Sequence, residues 1–69
     1  MSTEREGEIR RRIYLFIKTY GENKNVYMNN IRLYSDKNNI TRREMGFAIQ
    51  ELKTKRAIFF NPKYGWVAR

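Results

Sequence analysis

The stretch Ile40-Thr41-Arg42-Arg43-Glu44-Met45 constrains this chain more than any other, because it specifies a helix start twice over. Thr41 and Glu44 have the spacing of a capping box, in which each side chain accepts from the other residue's backbone N–H, and Ile40 is placed to staple against Met45. The helix so opened is predicted to run to about Arg56. Wound at ~100° per residue, Met45, Ala48, Ile49 and Leu52 fall on one narrow face, the face a core requires. The opposite side gathers Arg43, Phe47, Gln50 and Thr54, with Gly46, Arg42 and Lys53 flanking. Hydrogen-bond donors, positive charge and an unburied ring on one face call for a partner.

Upstream, a first helix is predicted from about Thr3 to Tyr20. Thr3 and Glu6 repeat the capping-box spacing, acids crowd the first turn where the helix dipole favours them, and Gly21 supplies a left-handed stop. Ile9, Ile13, Phe16, Ile17 and Tyr20 form its core stripe, and Tyr14 and Leu15 lie off that stripe on either side. These two are either edge residues of a wide stripe or part of a dimer contact. Gly21-Glu22-Asn23-Lys24-Asn25 is a polar connector. Val26-Tyr27-Met28 reads as a short extended segment, and Asn29 or Asn30 caps a brief second helix to about Ser35 or Asp36, with Ile31 and Tyr34 inward. Asp36-Lys37-Asn38-Asn39 is a tight turn, so helix, short turn and capped helix follow in the helix-turn-helix order.

After Leu52 the hydrophobic period changes from about 3.6 to extended. Ala57-Ile58-Phe59-Phe60 and Trp66-Val67-Ala68-Arg69 are two strands, and Pro62 and Gly65 suit the turn between them, Gly65 at its φ > 0 position. Phe59/Phe60 and Tyr64/Trp66 are set to meet across the hairpin. The predicted fold class is mainly helical α+β, a single domain over 1–69.

At 69 residues the core is thin, since a chain this short buries only ~60% of its unfolded surface, and dimerisation would supplement it. The chain has neither cysteine nor histidine, which removes disulfides, thiolate metal sites and the commonest catalytic base and metal ligand. No paired carboxylates, nucleophile with base, or glycine-rich phosphate cradle stands in for them, so an enzyme, a cofactor and a small-molecule substrate are not expected. No apolar run approaches ~18 residues, and Met1-Ser2-Thr3-Glu4 lacks the order of a signal peptide, which places the protein in the cytoplasm and off the membrane. Charge is unevenly spread. Residues 1–8 carry a net charge of −2, and the remaining chain, with 14 basic against four acidic residues, carries +10. A body so charged attracts polyanions, nucleic acid first among them.

The order of helix, short strand, helix, turn, capped helix and hairpin resembles the winged helix-turn-helix family over nearly the whole chain. The resemblance rests on Met28-x-x-Ile31 in the second helix, Ile40-Thr41 opening the third, Met45-x-x-x-Ile49-x-x-Leu52 within it, and Ala57-Ile58 entering the wing. Its size and its wealth of Asn, Ile, Lys and Tyr are similar to those of the short winged-helix regulators of archaeal viruses and plasmids, for which the compartment would be the host cytoplasm. The resemblance implies helix-turn-helix at about 29–56, a wing at about 57–69, a third helix entering the DNA major groove, and a wing lying along the backbone or a minor groove. The wing is short for the family and carries only Lys63 before Arg69.

The residue types agree with that expectation on their own chemistry. Arginine pairs bidentately with guanine, glutamine with adenine, and a ring contacts a thymine methyl, so Arg43, Phe47 and Gln50 form the base-reading set. Arg42, Lys53, Thr54, Lys63, Tyr64 and Arg69 are the backbone contacts. Arg42 and Arg43 sit where the helix dipole mildly disfavours a cation, a placement that phosphate explains better than solvation does. Phe47 has a second reading, packing under the wing or against another subunit. Arg10-Arg11-Arg12 spreads around the first helix and is mainly solvated, with Arg11 and Arg12 within reach of a backbone. The expected protein is a sequence-specific double-stranded DNA-binding regulator acting as a homodimer through Tyr14 and Leu15. Its alternatives are a non-specific chromatin-type protein, a winged-helix protein-interaction module, and an RNA binder, the last without any RNA-domain signature.

Overall fold

A computed structural model describes residues 3–69. Three helices, α1 (Thr3–Tyr20), α2 (Met28–Lys37) and α3 (Arg42–Thr54), precede a two-stranded antiparallel hairpin of β1 (Ile58–Asn61) and β2 (Gly65–Ala68). This is a mainly helical α+β fold, consistent with the winged-helix layout. The side chain of Thr3 lies outside the described residues, and with it the Thr3–Glu6 capping box; the Met1-Ser2 part of the N-terminal reading lies outside them as well.

One core runs through all the elements. Ile9, Ile13 and Ile17 of α1 meet Ile31 of α2, Met45, Ala48, Ile49 and Leu52 of α3, and Ile58 and Trp66 of the hairpin, with Val26 and Ile40 closing it from the connectors. The predicted stripes of α1 and α3 are the buried faces. Phe16 and Tyr20 are only half-buried, because they form an aromatic edge: Phe16 stacks on Tyr34 at 4.4 Å between ring centroids and tilts against Tyr20 at 5.2 Å.

Helix boundaries depart from expectation where caps are made by backbone geometry. Gly21 is not left-handed; α1 instead runs out through a tight turn, with N–H groups of Glu22 and Asn23 donating to Thr19 and Tyr20 carbonyls. Glycine serves there by its lack of a side chain, since a Cβ would stand 2.6 Å from the Ile17 carbonyl oxygen. α2 starts at Met28 with Tyr27 at the N-cap, so neither Asn29 nor Asn30 is the cap. Asn30 sits one turn inside, and its Oδ1 accepts from the Tyr27 N–H at 2.9 Å. α2 extends to Lys37 and closes on Asn39 at φ 56°, with the Ile40 N–H reaching back to the Ser35 carbonyl at 2.9 Å. α3 stops at Thr54, short of Arg56, by the same device: Arg56 has φ 61° and the Ala57 N–H donates to Leu52 at 2.9 Å. Both ends are Schellman closures on non-glycine residues, which satisfy the last carbonyls while turning the chain.

The hairpin pairs Phe59 with Val67, Phe60 with Trp66 and Asn61 with Gly65. Phe60 and Trp66 meet edge to face at 5.4 Å, the cross-strand aromatic contact expected of them. Its turn is organised by Asn61, whose Oδ1 accepts from the Lys63 and Tyr64 N–H groups. Gly65 has φ 81°, as its turn position requires. It also bridges to Val26 in parallel, and the Trp66 N–H donates to the Val26 carbonyl at 2.7 Å, so the extended segment before α2 is a third strand in rudiment. A Cβ at Gly65 would run into that same carbonyl.

Candidate nucleic-acid interface

The start of α3 is held at both scales. Thr41 Oγ1 accepts from the Glu44 N–H at 3.1 Å and Glu44 Oε1 from the Thr41 N–H at 3.0 Å, the complete capping box, while Ile40 and Met45 on either side of it are both buried. Sequence reasoning missed the second restraint. Arg5, near the start of α1, donates from Nε and Nη2 to the two oxygens of Glu44 at 2.7 and 3.1 Å, and from Nη2 to the Asn39 carbonyl at 3.2 Å. Two parallel N–H···O bonds fix an arginine–carboxylate pair in orientation as well as distance. They hold the Glu44 carboxyl well down, at about 2, with the Thr41 N–H contributing next, and the carboxylate in turn raises the Arg5 guanidinium. No spacing rule joins residues this far apart; the only clue is an arginine among the acids of the first turn.

With its inner face in the core, α3 turns Arg43, Phe47, Gln50 and Thr54 outward, and all four are exposed. The Arg43 guanidinium lies 5.9 Å from the Phe47 ring centroid. The Thr54 hydroxyl donates to the Gln50 carbonyl at 2.9 Å, a bond within the helix. The two flanks of this face differ in sign. On one side stand Arg42 and Lys53; Arg42 reaches Asp36 at 3.5 Å, and the Lys53 ammonium lies 5.9 Å from the Trp66 ring, which ties the basic flank to the wing. On the other side stand Glu44 and Glu51, the latter paired with Arg10 at 3.2 Å. Phe47, 59% exposed, lies at the acidic border and overhangs a groove of about 290 Å³ with Ile9 and Ala48 in its floor and Glu6 and Glu51 on its rim.

The wing contributes Lys63, whose ammonium lies 5.4 Å from the Tyr64 ring, and Arg69, stacked at 5.1 Å over Phe59. Each cation thus stands by a hairpin aromatic, as Lys53 does by Trp66, but the register sets Phe59 and Trp66 on opposite faces of the hairpin, so Arg69 and Lys53 do not form one cluster. Tyr14 and Leu15 part company. Tyr14 packs against its own core and its hydroxyl donates to the Arg69 carbonyl oxygen, so it is committed within the chain, whereas Leu15 is 48% exposed. Among the described residues there is no group of three carboxylates or other ligands able to hold a metal ion, and no helix long and apolar enough to cross a membrane.

No family model, curated protein or solved structure matches the chain.

Proposed function

We propose that the protein is a sequence-specific duplex-DNA-binding regulator that acts by occupancy in the cytoplasm, with α3 in the major groove. The observation that carries this reading is the exposed face of α3, where Arg43 and Gln50 stand in line about two turns apart next to a basic flank, on a helix whose start is held by the capping box and Arg5. Guanine and adenine edges match those two side chains, and a helix of this diameter fits the groove. The basic flank of α3 orients the duplex, because the carboxylates of the other flank are already paired with Arg5 and Arg10 and that side offers phosphate little. Phosphates run over Arg42 and Lys53 toward Lys63, Tyr64 and Arg69, away from Glu44 and Glu51; Thr54 completes the backbone set, and Phe47 marks the edge of the reading surface. A homodimer formed around Leu15, with Tyr14 beside it, would present two such helices to half-sites about one helical turn apart.

The apolar-floored groove under Phe47 favours one competing reading, a protein-interaction module in which that ring is the contact. A salt series on duplex selected from a random pool decides between them. The DNA reading expects log affinity to fall with log salt at roughly −0.9 per neutralised phosphate, and Arg43→Ala or Gln50→Ala to cost ~1–3 kcal/mol on the selected site with little change on scrambled duplex. Lys63→Ala should weaken both duplexes alike and lower the slope by up to ~1. Salt-independent or absent duplex binding overturns the DNA reading in favour of the protein partner.

A further inference from the structure

The end of α1 and the hairpin enclose a second groove, of about 360 Å³, and none of its lining residues belongs to α3. Tyr64 and Trp66 form one wall, Lys18, Glu22 and Lys24 the rim opposite, and Asn25 the end. Its size is at the small end of ligand sites, which run roughly 300–1,000 Å³. The two walls are tied together before any ligand arrives. The Trp66 N–H holds the Val26 carbonyl at 2.7 Å, and Asn25 Nδ2 donates to the Tyr27 hydroxyl at 3.1 Å and the Lys63 carbonyl at 3.5 Å.

Two features of this groove are unexplained by folding. Tyr64 is 51% exposed, and among the described residues its ring stacks on no other ring. Beside it the charge is one-sided: Lys18 and Lys24 line the groove against the single carboxylate of Glu22, and Lys63, next to the groove, sets its ammonium 5.4 Å from the Tyr64 ring. A half-exposed tyrosine ring with no ring partner, bordered by ammonium groups, matches a base stacked on the side away from Lys63 with phosphates on either side, and the base must be unpaired, since duplex stacking hides the face that a tyrosine would cover.

We propose that this groove holds an unpaired nucleotide within a segment of single-stranded nucleic acid, its base on Tyr64 and its flanking phosphates between Lys18, Lys24 and Lys63. The site rests on the nucleic-acid reading above and shares the hairpin, Tyr64 and Lys63 included, with its wing; Lys18, Glu22, Lys24 and Asn25 are separate from it. A strand opened next to a bound duplex would thus be retained by the same domain.

Trp66 is the only tryptophan and lines the groove from a largely buried position, so its emission responds to occupancy, and loss of the response in Tyr64→Ala assigns it to this groove rather than to Lys53 on the α3 side. Titration with an oligothymidylate octamer should change that emission saturably, with affinity falling in salt at roughly −0.7 per neutralised phosphate. Tyr64→Ala should weaken the octamer about tenfold, as loss of one base–aromatic stack predicts, while Tyr64→Phe, which keeps the ring, should stay within about twofold. Lys18→Ala and Lys24→Ala should each lower the salt slope, with circular dichroism confirming the fold. An octamer that leaves Trp66 emission unchanged, an equal loss in Tyr64→Ala and Tyr64→Phe, or thymidine monophosphate binding as tightly as the octamer overturns the proposal. Duplex affinity followed separately by anisotropy keeps the two readings apart: Arg43→Ala should move the duplex curve and leave the octamer curve in place. Octamer binding without duplex binding sinks the α3 reading alone, and duplex binding with a silent Trp66 sinks this one alone.

Discussion

α3 and the hairpin lie against the same core and both belong to the proposed interface, yet they are secured by different kinds of contact. The start of α3 is satisfied by residues three places apart, Thr41 and Glu44, with Arg5 added from a distance. The hairpin is placed by contacts remote in sequence: Gly65 and Trp66 against Val26, and the Arg69 carbonyl under the Tyr14 hydroxyl. A locally capped helix loses stability in small steps when a cap is removed, because water replaces the lost bond. A hairpin fitted backbone to backbone against a distant segment has no such tolerance, because a single methyl group disrupts two elements together.

The sharpest way to test this contrast is Gly65→Ala. The substitution forces a Cβ onto a backbone at φ 81° and into the Val26 carbonyl, with the Tyr27 ring at 3.3 Å as well. Positive φ for a side-chain-bearing residue and a backbone collision together should cost about 3 kcal/mol or more. Urea unfolding followed by Trp66 emission measures it, and a loss under about 1 kcal/mol would mean that Val26 yields easily and the contrast is false.

Thr41→Ala probes the other side of the comparison. It removes the acceptor for the Glu44 N–H at an exposed helix start and should cost about 1 kcal/mol, with Thr41→Ser nearly neutral. A loss as large as that of Gly65→Ala would show that the start of α3 is no more forgiving than the hairpin.

The Arg5–Glu44 pair is a remote polar contact at the α3 start, and acid should expose it. The folded Glu44 carboxyl is held at about 2, below its ordinary value of 4.5. A carboxyl lowered on folding contributes stability that is complete above its unfolded value and is lost as pH falls through the folded one. Unfolding titrations should therefore show stability declining between about pH 4.5 and 2, with part of that decline missing in Glu44→Gln. Identical pH profiles for the two proteins would remove Arg5 from the account.

The smallest effect is expected in α2. Ser35 is fully buried, and its hydroxyl has no hydrogen-bond partner among the described residues. A buried donor without a partner costs stability, so Ser35→Ala should be neutral or stabilising by up to about 1 kcal/mol in the same urea assay. Destabilisation would mean that the hydroxyl makes a bond in solution and that α2 is anchored more firmly than its contacts indicate.

The sequence by itself determined the elements whose causes are short-range. Periodicity marked the buried faces of α1 and α3, because a helix repeats its facing every three or four residues; Thr41 and Glu44 marked the start of α3, and Pro62 with Gly65 marked the turn of a hairpin. From the same winding came the outward set Arg43, Phe47, Gln50 and Thr54. Only the tertiary structure decided what these residues stand beside. It brought Arg5 to Glu44 and Arg10 to Glu51, set Ile9 and Glu6 of α1 in the groove under Phe47, and took Tyr14 into the chain's own fold. It also closed α2 and α3 on Asn39 and Arg56, left-handed residues that no glycine announced, and buried Ser35, which polarity placed near a helix end. These are relations between distant segments, governed by how three helices and a hairpin share one small core, and no residue's own type or spacing carries them.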